Sequence, residues 1–141
     1  MDIEIFTLCD AATEYAGKLN LLGTFDRIIA SQLPAVHPHC AVALRIRFER
    51  IEEGEHRIKI KLVDSDGQEI FPGLEGRIQV KMPTDVFSVC ANLILNLNGL
   101  KFAQAGAYAL NLAVDGRHEK SLPIYVTLRE GSAQPGKAPQ K

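Results

Sequence analysis

The stretch "CAVALRIRFER", residues 40–50, alternates larger apolar side chains with alanines or charged residues, and a period of two is the signature of a β-strand with one face on a core. Cys40, Val42, Leu44, Ile46 and Phe48 point one way, and Ala41, Ala43, Arg45, Arg47 and Glu49 the other. "HRIKIKLVD" repeats the pattern, with His56, Ile58, Ile60 and Leu62 opposed to Arg57, Lys59 and Lys61. So short a separation predicts a hairpin closed by Glu52, Glu53 and Gly54, with the glycine left-handed in a bulged turn. A slip of one residue would reverse every side chain, so apolar must meet apolar: Phe48 opposite Ile58, Ile46 opposite Ile60, Leu44 opposite Leu62.

Similar alternation runs through the rest of the chain. In "DSDGQ", Asp66-Gly67 suits the centre of a type I′ turn that would set Phe71 opposite Leu62. "GRIQVKM" turns Ile78, Val80 and Met82 inward before Pro83 ends the pattern. "VCANLILNLNG" aligns Val89, Ala91, Leu93, Leu95 and Leu97, and Gly99 marks a bulge or bend. "AYALNLAVDG" offers Tyr108, Leu110, Leu112 and Val114, and "KSLPIYVTL" offers Leu122, Ile124, Val126 and Leu128, with Pro123 arguing for an edge or a bulge. The first forty residues read as a long, bulged hairpin turning at Gly17-Lys18, with a short helix over residues 11–15, capped by Asp10, as the alternative. Eight or nine strands spaced by short turns imply an all-β fold, an antiparallel β-sandwich of the Ig-like or C2-like kind, over residues 1–129. Residues 130–141, "EGSAQPGKAPQK", have no apolar side chain beyond alanine and are expected to be a disordered tail.

The segments "LCDAA", "GKLNLLGTFDRI", "HP" before "ALRIRFE", "NLILNLNGLKF" and "GAYALNLAVDGRHEKSLPIYV" together resemble a family of uncharacterised bacterial all-β domains. The resemblance covers nearly the whole chain except the tail and is most specific in the first hairpin and the closing "LPIYV" strand. It implies a β-sandwich and supplies no catalytic residue.

Composition restricts function. With 141 residues, 46% of them hydrophobic, the chain suits one core of ordinary size. Sixteen basic against seventeen acidic residues leave a net charge of -1, so the molecule as a whole has no attraction to nucleic acid or to an anionic membrane. "MDIEIFTLCD" carries acids where a signal peptide needs bases, which points to the cytoplasm. Cys9, Cys40 and Cys90 are odd in number and far apart, as free thiols are.

Several clusters invite a chemical reading. "AVHPHC" brings His37, His39 and Cys40 close together, but structural zinc needs about four convergent ligands, and strand parity turns Cys40 inward and His39 outward. With Pro34 and Pro38 the stretch reads as an extended loop leading into a strand. His56, on the apolar face beside a turn, suits a hydrogen-bonded histidine at the rim of the core. Asp64 and Asp66 suggest calcium, yet calcium takes six to eight oxygens, and Asp85 or Asp115 would help only from the same end of the sandwich.

The derived register also sets Arg47 against Lys59 and Arg45 against Lys61, like charges that repel across a ladder. Such a ribbon, widened by Arg77 and Lys81 if their strand is adjacent, needs neighbouring acids, screening or an anionic partner. No aromatic residue interleaves with it, which counts against single-stranded nucleic acid. A second surface is made of short side chains: Cys90, Asn92, Asn96 and Asn98 on one strand, and Ala107, Ala109, Asn111 and Ala113 on another, with Ile94 among them. The chain's own N-terminal segment or a second subunit would cover it. No phosphate loop or nucleophile elbow occurs. The expectation is a non-catalytic cytoplasmic domain without a cofactor that binds a protein or another anionic macromolecule, or a second copy of itself. The alternative is a metal- or small-ligand-binding domain.

Overall fold

Each strand here has one apolar face, and two stacked sheets bury all of them against a shared core. A computed structural model, which describes residues 1–129, shows nine strands: β1 (Asp2–Tyr15), β2 (Lys18–Phe25), β3 (Arg27–Ala30), β4 (Ala35–Glu49), β5 (Gly54–Val63), β6 (Leu74–Val80), β7 (Ser88–Phe102), β8 (Gly106–Val114) and β9 (Arg117–Leu128). One sheet has four strands in the order β2-β1-β4-β7, and the other has five, β3-β9-β8-β5-β6. Every pairing is antiparallel except β3 with β9, so the sandwich departs there from the antiparallel expectation. The expected tail, residues 130–141, lies outside the described residues.

The alternation predicted the inward faces of β4, β5, β6 and β8 correctly, while Leu128, expected inward on β9, is exposed. Cys40, Val42, Leu44, Ile46 and Phe48 of β4 are buried and meet Ile58, Ile60 and Leu62 of β5, with Leu110, Leu112, Ile124 and Val126 behind them. The predicted β4–β5 hairpin does not form. β4 pairs with β1 and β7, whereas β5 lies in the opposite sheet between β8 and β6. A single 3-10 turn, Arg50–Glu52, carries the chain across. The guanidinium of Arg50 donates to the Pro83 and Val86 carbonyls, tying the turn to the approach of β7. Gly54, at φ 134, opens β5 opposite Val80 instead of closing a hairpin.

Other turns differ in detail. The β5 turn uses Ser65-Asp66 as its centre with Gly67 left-handed at φ 82, because the Gly67 N–H reaches the Asp64 carbonyl at 3.0 Å and the Asp64 N–H reaches Gln68 at 2.9 Å. This is a type I turn with a bulge, not type I′, and Ile70, not Phe71, bonds back to Leu62. Residues 11–15 are strand, not helix, and the first hairpin turns on Ala16-Gly17, both at positive φ, one residue earlier than expected. Its internal register is unbroken. The bulge lies instead between β1 and β4, where Glu4 is the extra residue between Ile3↔Ile46 and Ile5↔Arg45. Gly99 has φ 65 but no bulge, since His39↔Asn98 and His37↔Leu100 keep one register. Pro123 pairs with Ala109 at a level of β9 that β3, beginning at Tyr125, does not reach, so its missing N–H faces a local edge.

The outer face of the four-stranded sheet is covered from within. Cys9, Ala41 and Ala43 are fully buried there against Ala12, Leu19, Leu21 and Ile94. β1 leaves β4 after Cys9 and bends with β2 across this face, where the Asn92 amide donates to the Glu14 carboxylate at 3.2 Å and the Gly17 carbonyl at 3.1 Å. Side chains as small as alanine are what let the arm lie close.

Two polar clusters brace the sandwich. In the first, the carboxylate of Glu4 accepts from Arg45 Nε at 3.0 Å and Arg47 Nε at 2.6 Å, and the Arg47 contact, with help from the Cys90 thiol and Arg45, lowers its pKa to about 2. In the second, His56 stacks on Phe48 with ring centroids 4.6 Å apart, and both ring nitrogens face acceptors: the Asp115 carboxylate at 2.7 Å and the Glu52 carbonyl at 2.6 Å. Only the imidazolium can donate to both. Burial alone would lower the His56 pKa, but these two bonds outweigh it and raise it above the ordinary 6.5.

The signs of the two shifts are opposite. The Glu4 contribution is complete above about pH 4.5 and is lost as pH falls through the folded value near 2; the His56 contribution is complete below about pH 6.5 and is lost as pH rises through its higher folded value. Thermal unfolding followed from pH 2 to 9 should therefore show greatest stability between about pH 4.5 and 6.5. Glu4→Gln should flatten the acid limb, and His56→Gln the alkaline limb together with the part of the acid limb that comes from the His56 contact to Asp115. Asp115 holds φ 53, which asparagine also tolerates, so Asp115→Asn should cost about 1 kcal/mol at pH 6 by urea denaturation, and no loss would separate the carboxylate from His56.

Candidate functional site

The four bases expected to form one ribbon are divided between the two sheets. Arg45 and Arg47, on the four-stranded sheet, are held by Glu4 and also donate at 3.0 Å each to Asn92 Oδ1 and Ser88 Oγ. The clash predicted with Lys61 and Lys59 is thus replaced by a bridged pair, because bulging β1 by one residue aims Glu4 between the two arginines.

Lys59 and Lys61 stand on the outer face of the five-stranded sheet, in line with Arg57. Their acids are looser: Lys59 is 3.7 Å from Glu75 and Lys61 is 3.4 Å from Glu69, with all four side chains more than two-fifths exposed, so solvent screens both contacts. Arg57 makes no ion pair among the described residues. Alternate residues of a strand lie about 6.6 Å apart, so the three cations form a regular row. Arg77 is in the adjacent strand, as anticipated, and pairs with Glu55 at 3.5 Å.

Beside this row the small side chains of β8 make a floor. Asn111 lies opposite Lys61 and Ala113 opposite Lys59, and the far wall is formed by Gly116 and His118. The result is a groove of about 520 Å³. His118 reaches it through a bulge in β9: Leu112 pairs with Lys120 but Ala113 with His118, so Glu119 is skipped and the histidine shares the outer face with Ala113. Without the bulge an acid would face Ala113 instead. Ser121 links the wall to the floor, donating to Asn111 Oδ1.

The remaining candidates are scattered. "AVHPHC" is strand from Ala35 onward, not a loop before one, because it pairs with β7 along its length except at Pro38. Cys40 is buried in the core, and burial pushes its thiol up to about 11. His39 points outward to Asn98 Oδ1 at 2.8 Å. The direction of His37, which sequence left open, is toward Phe25, with ring centroids 5.4 Å apart and Nε2 buried without a hydrogen-bond partner. Asp64 accepts the backbone N–H groups of Asp66 and Gln68, while Asp115 lies beside His56 and Arg57 at the other end of β5, and so cannot share a cation with them. Among the described residues no three His, Cys, Asp or Glu side chains gather to hold a metal ion. The two strands of short side chains belong to different sheets, so Asn92 and Asn96 do not form one surface with Asn111. Glu4 and His118 were missed because both are placed by bulges, which leave no mark in a period-two pattern.

Among the described residues no helix is long and apolar enough to cross a membrane. A search among curated proteins found no match. The model of one protein family matches residues 4–127, all nine strands apart from a residue or two at either end. The chain therefore belongs to the family of unknown function DUF6941.

Proposed function

We propose that this chain is a non-catalytic binding domain of the cytoplasm and that its groove takes an extended acidic segment of another protein. The observation that carries the reading is the row Arg57, Lys59 and Lys61 beside a floor of Asn111 and Ala113, with Arg57 in no ion pair among the described residues and the pairs of the two lysines exposed. An extended peptide projects alternate side chains at nearly the spacing of the row, so carboxylates at every second position would meet successive cations. The floor admits a backbone because its side chains are short, and Asn111 offers both a donor and an acceptor. No Phe, Tyr or Trp lines the groove, which leaves bases of a single-stranded nucleic acid without the usual stacking platform. The exposed acids of the pairs to Lys59 and Lys61 can give way to a ligand at little cost, since exposed ion pairs contribute about 0–1 kcal/mol.

A short fluorescent polyglutamate peptide is a suitable probe, read by anisotropy at low and moderate salt. Binding is expected to weaken as salt rises and to fall about tenfold or more in Arg57→Glu/Lys59→Glu, with the unfolding midpoint unchanged because both side chains are exposed. Ala113→Leu fills the floor without altering charge and should weaken binding as well. Undiminished binding in both variants, or none by the native chain, would remove the groove from consideration.

A further inference from the structure

We propose that β7 pairs edge to edge with β7 of a second copy of this chain across a two-fold axis, joining two four-stranded sheets into one of eight. The sandwich has four edge strands, and three of them are guarded. β3 is four residues long, β6 is seven and carries Glu75 and Arg77, and β2 bends away with its hairpin and has Gly23 at φ 68. β7 has none of these devices from Ser88 to Asn98. That stretch carries no charge, proline or positive-φ residue and keeps one continuous register with β4; Gly99, at φ 65, lies beyond it. Among the described residues its backbone pairs with β4 alone, which leaves the N–H and C=O groups of every second residue facing outward.

What such an edge accepts is another strand, and its own side chains favour a copy of itself. In a two-fold antiparallel pairing, opposed residues have the same parity, so Leu93, Leu95 and Leu97 share one face with Val89 and Ala91, and Asn92, Asn96 and Asn98 share the other with Cys90 and Ile94. With the axis at Ile94, Leu93 lies opposite Leu95 and Asn92 opposite Asn96, so apolar side chains now half-buried would be covered and no like charges would meet. The hairpin arm touches β7 through the side chains of Asn92 and Ile94 on the outer face of the sheet, and it forms no backbone ladder with β7.

Light scattering of the full chain over a range of concentrations should give twice the 15.5 kDa of one copy. Asn96→Lys puts a charge on an exposed position of the edge and should halve the mass while leaving the β-sheet circular dichroism of the folded chain intact, with the unfolding midpoint lowered only to the value that the native chain shows on dilution. Hydrogen exchange on the native chain is a second reading, independent of any variant: the outward amides of β7 should be protected at high concentration and exchange on dilution. A mass of one copy at every concentration would overturn the proposal and leave this edge to a strand of another protein or to none. A double mass that survives Asn96→Lys, with β7 amides unprotected, would also overturn it.

Discussion

The Glu52 carboxylate receives the Glu49 N–H at 2.7 Å and the N-terminal ammonium at 2.9 Å, at the corner where the chain leaves one sheet for the other. Burial raises its pKa, but those two contacts more than offset the effect and hold it below the ordinary carboxylate range. Its backbone carbonyl accepts from His56, which in turn binds Asp115, and the Asp115 carboxylate also receives the Arg57 N–H at 2.9 Å. One turn thus connects β1, β4, β5 and the β8–β9 turn. Since β4 and β5 supply the centre of the core from opposite sides, the separation of the sheets and the placing of Lys59 away from Arg47 both follow from this crossing.

That crossing also explains what could be read from sequence. Alternation determines which side chains face inward, from Phe48 and Ile58 to Tyr108 and Val126, but β7 changes parity at Gly99, so that Leu100 and Phe102 join Leu97 in the core, and Leu128 at the end of β9 is exposed. It does not determine neighbours. Two strands that face each other across a core have the same apolar faces as two that lie side by side, and a link as short as residues 50–53 serves either arrangement. The register argument therefore matched Phe48 correctly to the apolar side of β5 and wrongly to a hydrogen-bonded position beside Ile58.

The site was legible to the same extent. Bases at Lys59 and Lys61 and short side chains at Asn111 and Ala113 were visible, but in the wrong pairings, because both inferences assumed that neighbours in sequence are neighbours in a sheet. The repulsion between like charges was sound chemistry applied to a ladder that does not form. The chain solves a smaller version of the same problem, two arginines in line on β4, by bulging one acid into place from β1. The expected face of short side chains, Cys90 to Asn98 beside Ala107 to Ala113, is split between the two sheets; the N-terminal arm covers Ile94 of it together with Ala41 and Ala43, which are outward by parity yet fully buried.

The two sheets consequently present different things to their surroundings. The four-stranded sheet has its outer face covered by its own chain, its arginines neutralised, and one long uncharged edge. The five-stranded sheet has short or charged edges and an open outer face on which three cations border a groove. A self-pairing edge and a ligand-binding face would conflict if they shared a sheet, since extending the edge would alter the twist of the strands that floor the groove. The proposed edge and the proposed groove belong to different sheets, and Leu93 of β7 lies against Gly76 of the edge strand β6. Pairing through β7 would leave the row from Arg57 to Lys61 exposed on each copy, so a two-fold assembly would carry two grooves, and a partner with repeated acidic segments would gain from engaging both.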